Sequence, residues 1–256
     1  MSTTVDVQEL EAKVKDMYRH VAEEPSASYH FEMGRPLAER LGYPVDTLDG
    51  IPAGAIESFA GVGYFFDLAD LAGGESVLDL GSGSGMDAFF AALAVGPAGR
   101  VVGVDFTAEQ LDKARSLAMN AGVDQVEFRE GRIERLHVED ASFDCVISNG
   151  VINLSPEKER VFIEAARVLR PGGRLAIADI VSEQELKESI VCDADLWASC
   201  IGGAAQEDAY RQAIEAAGLR IEEMRENPYE FISGRAQDAS GKYGVKSVSL
   251  LATKAG

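Results

Sequence analysis

The sequence predicts an α/β fold: a doubly wound, mostly parallel sheet of seven strands. Three observations carry the prediction. A short apolar run, Val77 to Leu80, reads as a buried strand and breaks at alternating glycines, Gly81, Gly83 and Gly85. Met86, Phe89, Phe90 and Leu93 follow at the i, i+3, i+4, i+7 spacing of a helix's inner face. A second apolar run ends on Asp105, and strands then keep alternating with helices, the order of parallel βαβ units.

Each element has its own signal. After a polar start, Leu10, Val14, Met17, Tyr18 and Val21 mark one side of a first helix. From Glu23 to Gly63 the pattern is irregular and proline-punctuated, with short helical pieces near Pro36 to Leu41; it reads as a lid or a packed extension. Strand 1 is Ser76 to Leu80, followed by a helix from Met86 to Val95. Strand 2 is Arg100 to Asp105, and Thr107 to Gln110 reads as a capping box opening a helix to about Asn120. Strands 3 and 4 are Gln125 to Arg129 and Asp144 to Ser148. Ser155-Pro156 reads as an N-cap with proline at the first helical position, and the helix runs to Arg170. Pro171-Gly172-Gly173 stops it before strand 5, Arg174 to Ile180.

Glu183 to Cys200 then reads as mostly helical, and Gln206 to Ala217 as a further helix. Leu219 to Arg225 and Val245 to Ala252 form a closing antiparallel pair across a Gly- and Ser-containing loop. The expected organisation is a helical extension over residues 1–63, a cofactor core over 64–182 and a substrate-covering region over 183–256.

A net charge of −19 without a basic stripe argues against a nucleic-acid substrate, since phosphate contacts need clustered Lys and Arg. No run of eighteen apolar residues and no signal-peptide pattern is present, so a cytoplasmic chain without membrane association is expected. Cys145, Cys192 and Cys200 give neither a disulfide framework nor a metal signature.

A glycine turn between strand and helix suits a polar ligand, and an acid at the tip of the second strand suits a ribose diol. Asp79, Gly81, Ser82, Gly83, Gly85 and Asp105 are therefore candidate contacts of a nucleoside-bearing cofactor. The dinucleotide fingerprint wants its third glycine at the position of Met86. An acid inside the motif suits a cation, so S-adenosyl-L-methionine (SAM) is the first reading and a nicotinamide cofactor the weaker one. The loop after strand 3 offers Ile133 and Glu134 for an adenine. The loop after strand 4 offers Asn149, Gly150 and Asn153 for a polar substrate or the cofactor's amino-acid tail. Tyr29, His30 and Asp179 stand out only as titratable groups.

The stretch Val77–Ile180 resembles the class I SAM-dependent methyltransferases, and more narrowly the arsenite methyltransferases. The resemblance rests on Leu78-Asp-Leu-Gly-Ser-Gly-Ser-Gly85, Val102-Gly-Val-Asp105 and Val146-Ile-Ser-Asn-Gly-Val-Ile-Asn-Leu-Ser155. Arg170-Pro-Gly-Gly-Arg-Leu-Ala-Ile-Ala-Asp179 and Leu196-Trp-Ala-Ser-Cys-Ile-Gly-Gly-Ala204 extend it. It implies a Rossmann-like core that binds SAM, releases S-adenosyl-L-homocysteine and methylates a small molecule, as monomer or homodimer. It adds Phe106 and Gln110 to the expected cofactor contacts, and Asn153, Trp197 and Cys200 to the substrate side, with Cys200 as a substrate thiolate. Family members hold trivalent arsenic between cysteine thiolates. Here Gly150 takes one of those places, Ala60-Gly-Val-Gly63 lacks a second, and Cys200 matches the third. The acceptor is thus a trivalent arsenical or another small molecule, and the alternatives are a SAM-binding protein without transferase activity and, more weakly, an NAD-dependent oxidoreductase.

Overall fold

Val77, Leu78 and Leu80 are fully buried because their strand lies inside a sheet covered on both faces, which is why a continuous apolar run was readable there. The computed structural model describes residues 6–191, 193, 196, 197 and 201–256. Strands β1 (Ser76–Leu80), β2 (Arg100–Asp105), β3 (Val126–Glu130), β4 (Phe143–Asn149) and β5 (Leu169–Ser182) are mutually parallel. A two-residue β6 (Ala205–Gln206) pairs with the end of β5. β7 (Leu219–Glu226) and β8 (Lys246–Lys254) complete an eight-stranded sheet in the order β3-β2-β1-β4-β5-β8-β7. The sequence predicts seven strands; the eighth is the short β6. β8 runs antiparallel between β5 and β7, as the closing pair was expected to run.

Five helices precede the sheet: α1 (Val7–Glu23), α2 (Gly34–Leu41), α3 (Val45–Leu48), α4 (Ala53–Glu57) and α5 (Phe66–Ala69). Asp6 caps α1, its carboxylate accepting from the Gln8 and Glu9 N–H groups at 3.0 and 3.2 Å. α6 (Met86–Val95) and α7 (Ala108–Ala121) pack on one face of the sheet, where Val77, Val101, Cys145 and Ala176 join Phe89, Ala92 and Leu111. α8 (Lys158–Val168) covers the other, where Leu78, Val102, Val146 and Leu175 meet Phe162 and Val168. α9 (Glu188–Val191) is short, and α10 (Glu207–Ala216) joins the second face through Tyr210 and Ile214. α11 (Gly234–Tyr243) precedes β8.

Several boundaries differ from the expectation. α8 starts at Lys158 rather than after Pro156, because Ser155 Oγ accepts from the Glu157 N–H and closes a separate turn. The proline–glycine stop at 171–173 lies inside β5, whose pairing with β4 is irregular there. Of the helix expected over Glu183 to Cys200, α9 is a four-residue piece, and Cys192 and Cys200 lie outside the described residues. The loop expected before β8 contains α11, capped by Ser233 Oγ on the Ala236 N–H and ended by Gly244 at φ +63°.

Candidate cofactor and acceptor site

The carboxyl ends of β1, β2 and β4 open onto one solvent-connected cavity. Parallel strands deliver their last residues and following loops to one edge, which makes this edge the place for ligands in an open α/β sheet. Asp79, Gly81, Ser82, Gly83, Asp105, Phe106, Gln110, Ile133, Glu134 and Asn149, all candidate cofactor contacts, line it. Leu10, Val14 and Tyr18 of α1 supply another wall, and Ala55 and Phe59–Gly61 a third.

The glycine turn is built by its neighbours. Gly81 sits at φ +73°, and a Cβ there would meet Val151 Cγ1 at 2.5 Å, so only glycine fits. The Gly81 and Ser82 N–H groups donate to Val104 O at 2.7 and 3.0 Å, and the Gly83 N–H donates to Asp105 Oδ2 at 2.9 Å. Asp105 Oδ1 accepts from the Thr107 N–H at 2.8 Å. The α6 N-terminus is likewise engaged from inside, because the Asp79 carboxylate accepts the Ala88 N–H. These amides therefore do not form the open anion cradle a glycine turn suggests; a carboxylate occupies the place of an anionic ligand.

Gly85 does not line the cavity. A Cβ there would meet the Phe128 ring at 2.6 Å, so this glycine lets α6 pack against β3. The capping box also fails to close: Thr107 makes no side-chain cap bond, and Gln110 turns inward instead. Ser84 Oγ donates to Gln110 Oε1, while Gln110 Nε2 donates to Tyr18 O of α1 at 2.8 Å. Lys113 Nζ ties the same helix down, donating to Ala22 O at 3.0 Å and Ser58 Oγ at 2.8 Å. Glu11 of α1 pairs with Arg132 from the loop after β3.

Two residues that sequence reasoning missed organise the floor. Tyr43 Oη donates to Asp87 Oδ1 at 2.6 Å, and Asn149 Nδ2 donates to Asp87 Oδ2 at 3.0 Å. Asn149 also donates to Gly63 O at 3.0 Å and accepts from the Val62 N–H at 2.7 Å. Its amide is thus taken up by the protein, holding the 61–63 turn, rather than pointing free for an amino-acid tail. From the other side, Ser247 Oγ donates to Val62 O at 2.7 Å and Ser249 Oγ to Tyr64 O at 2.9 Å. Asn227 bonds both serines at 2.9 Å.

Burial pushes the Asp79 carboxyl well above the usual range, reinforced by Asp87 and Asp105. Burial raises Asp87 to about 6 against the opposing bonds from Tyr43 and Asn149. Burial raises Asp105 too, with the Thr107 and Gly83 N–H groups opposing. Asp79 Oδ2 and Ser82 Oγ are buried without a hydrogen-bond partner. Orphaned polar groups on a cavity wall fit a ligand that supplies the missing partners.

The expected cofactor contact Gly150 and the expected substrate residues Asn153 and Trp197 are not among the residues that line the cavity. Gly150, at φ +69°, is buried behind it, where a Cβ would meet Val62 Cγ1 at 3.1 Å. Asn153 is fully buried with its backbone against Gly203. Trp197 packs with Leu10, Val14 and Leu154, and its ring lies 4.5 Å from Lys158 Nζ. Cys200 lies outside the described residues. Tyr29 stacks on Phe31 and His30 meets it edge-on, neither lining the cavity, although Phe31 stacks in turn on Tyr18 of the cavity wall; Asp179 is buried against Tyr210 Oη at 2.6 Å. Cys145, whose thiol burial pushes up to about 12, is a core residue.

A parallel sheet with a glycine turn, a ribose-type acid and an uncompensated acid beside them fits a nucleoside-bearing, cationic cofactor. A methyltransferase-domain family model matches residues 71–218, more than half of the chain, and the chain belongs to that family. Arsenite methyltransferases are among its relatives. The Halobacterium salinarum arsenite methyltransferase is 43% identical over 82% of this chain and 54% of its own length. The structure of CrArsM, an arsenic(III) S-adenosylmethionine methyltransferase from Chlamydomonas reinhardtii, is 32% identical. It aligns over 88% of this chain and 75% of that one with a TM-score of 0.65. A geranyl diphosphate C-methyltransferase from Streptomyces coelicolor shares the fold at a TM-score of 0.70, 17% identity and 97% and 99% coverage. The chain spans about half the length of the first of these relatives.

Proposed function

We propose that the chain is a SAM-dependent methyltransferase acting on a small, soft acceptor of the arsenical type. The observation that carries this reading is the ring of buried carboxylates, Asp79, Asp87 and Asp105, which meets no cation among the described residues and faces the cavity. SAM brings a sulfonium and an ammonium to that ring, and its methyl carbon is the electrophile. Asp105 would bind the ribose diol, Asp79 and Ser82 the amino-acid end, and Phe106 with Ile133 the adenine faces. Methyl transfer from a sulfonium is an in-line displacement with a neutral leaving group, so the protein contributes positioning and exclusion of water. α1 and residues 55–61 close over the cavity, which supports reading residues 1–63 as its cover.

Val62 packs on Gly150, the position where the family resemblance places a thiolate. Soft arsenic demands soft ligands, so capture of arsenite falls to Cys200 and to thiols that arrive with the substrate. The same contact favours a second reading, a methyltransferase redirected to a different soft small-molecule acceptor. The test is methyl transfer from labelled SAM to arsenite with glutathione, to methylarsenite, and in a no-acceptor control, with Cys200→Ser alongside. Arsenic methylation lost in the variant is expected. Absence of arsenic turnover with retained SAM binding selects the redirected acceptor, and absence of SAM binding overturns both readings.

A further inference from the structure

Three carboxylates converge on the cavity, but they are not equivalent. Both oxygens of Asp87 accept, from Tyr43 and Asn149. Both oxygens of Asp105 accept, from the Thr107 and Gly83 N–H groups. Asp79, only 2% exposed, takes the Ala88 N–H and leaves Oδ2 buried without a partner. The titratable groups that face it are Asp87 from α6, Asp105 from β2 and the Tyr43 phenol from the turn after α2, with the neutral Asn149 beyond. None is basic. An ionised carboxylate with an unpartnered oxygen, flanked by two further acids, is strongly disfavoured until a positive charge enters.

We propose that Asp79 carries a proton in the unliganded enzyme and releases it to solvent as a sulfonium cofactor binds, setting a preference for SAM over S-adenosyl-L-homocysteine. This rests on the SAM reading and deepens it. The Asp79 O–H bond breaks, the proton passes to buffer, and the carboxylate left behind faces the incoming positive charge. After transfer the product sulfur is neutral and its ammonium is balanced by its own carboxylate, so the net positive charge is gone, the same acid recovers a proton more readily and the product is held less tightly. The device couples turnover to product departure without a moving part.

Calorimetric titration of the full chain at pH 7, in buffers of differing ionisation enthalpy, counts the protons. About one proton should leave with SAM and fewer with S-adenosyl-L-homocysteine, and SAM affinity should climb about tenfold per pH unit below the Asp79 transition while product affinity climbs less. Asp79→Asn should abolish the difference in proton count and lower SAM affinity at least tenfold, towards that of the product. Asp87→Asn should keep the SAM-linked release, which separates Asp79 from its neighbour. Equal proton counts for the two ligands in the native chain, or undiminished release in Asp79→Asn, overturn the proposal. Because the native chain alone supplies the two-ligand comparison, a misfolded variant does not rescue it. Failure of SAM to bind overturns the cofactor reading instead.

Discussion

The two edges of the same sheet treat their carboxylates in opposite ways. At the amino edge, Glu75 receives Arg174 through two bonds of 2.9 and 2.7 Å, and Asp144 is joined by Arg170 and by the Ser76 N–H at 2.8 Å. Partial burial alone would raise both acids, yet their arginines and backbone donors hold them below the usual carboxylate range. At the carboxyl edge, Asp79, Asp87 and Asp105 are more deeply buried, form no ion pair with any described residue and are all raised. The first arrangement fastens strands together. The second withholds a countercharge, which is the arrangement the proposed cationic cofactor requires.

That contrast is sharpest in stability. Glu75→Gln leaves Arg174, 17% exposed in its side chain, without its anion and should destabilise the fold by ~2–3 kcal/mol. For a chain of this size that lowers Tm by roughly 4–10 °C, read by thermal unfolding. Asp79→Asn, at the other edge, should leave the unliganded Tm unchanged or higher, because it removes a buried acid without a countercharge. Equal losses in the two variants would erase the distinction.

A smaller effect separates the edges by pH. Asp87 moves from 3.8 to about 6 on folding, so the folded state holds its proton more tightly than the unfolded chain. Its stabilising contribution is complete below about pH 4 and is lost as pH rises through 6. Relative to Asp87→Asn, the native unliganded protein should therefore lose up to ~2 kcal/mol between pH 4 and pH 7.5, measured by denaturant unfolding. Glu75 and Asp144 carry the opposite sign, losing their contribution as pH falls. The smallest expected effect is spectroscopic. Trp197 is the sole tryptophan, and burial lowers the Lys158 ammonium over its ring to about 8, with Asp179 and Glu134 opposing. Its emission should change between pH 7 and 9, and Lys158→Met should remove most of that change.

Local signals made the cofactor half of the fold legible. β1, the glycine turn, α6 and β2 announce themselves through apolar runs, glycines and Asp105, and the matching bounds of β1, α6 and β2 reflect that locality. What stayed hidden depends on distance along the chain. Asp87 reads as an ordinary acid in the first turn of a helix until Tyr43 and Asn149, 44 and 62 residues away, close on it. The apolar stripe of α1 predicts a helix but not which cavity the stripe covers. α11 had a signal in Ser233, Ala236, Ala239 and Gly244, outweighed by the glycine and serine around it. Gly85 was legible as a required glycine, but Phe128 decides that its reason is packing rather than ligand contact.

The polar cradle around the 62–64 turn bears on how the protein comes into being. Val62 O meets Ser247 Oγ, and Tyr64 O meets Ser249 Oγ, in each case across 185 residues of chain. A ribosome delivers the turn early and its serines late, so the turn waits through the synthesis of the whole intervening sheet. Contacts of such separation form slowly, since loop closure must precede their reward. The strands that carry Asp79 and Asp105 can pair long before the wall opposite them is fixed. A nascent chain would thus own the strand edge that carries the carboxylates before it owns the wall opposite, and a closed cavity would arrive as one of the last events of folding.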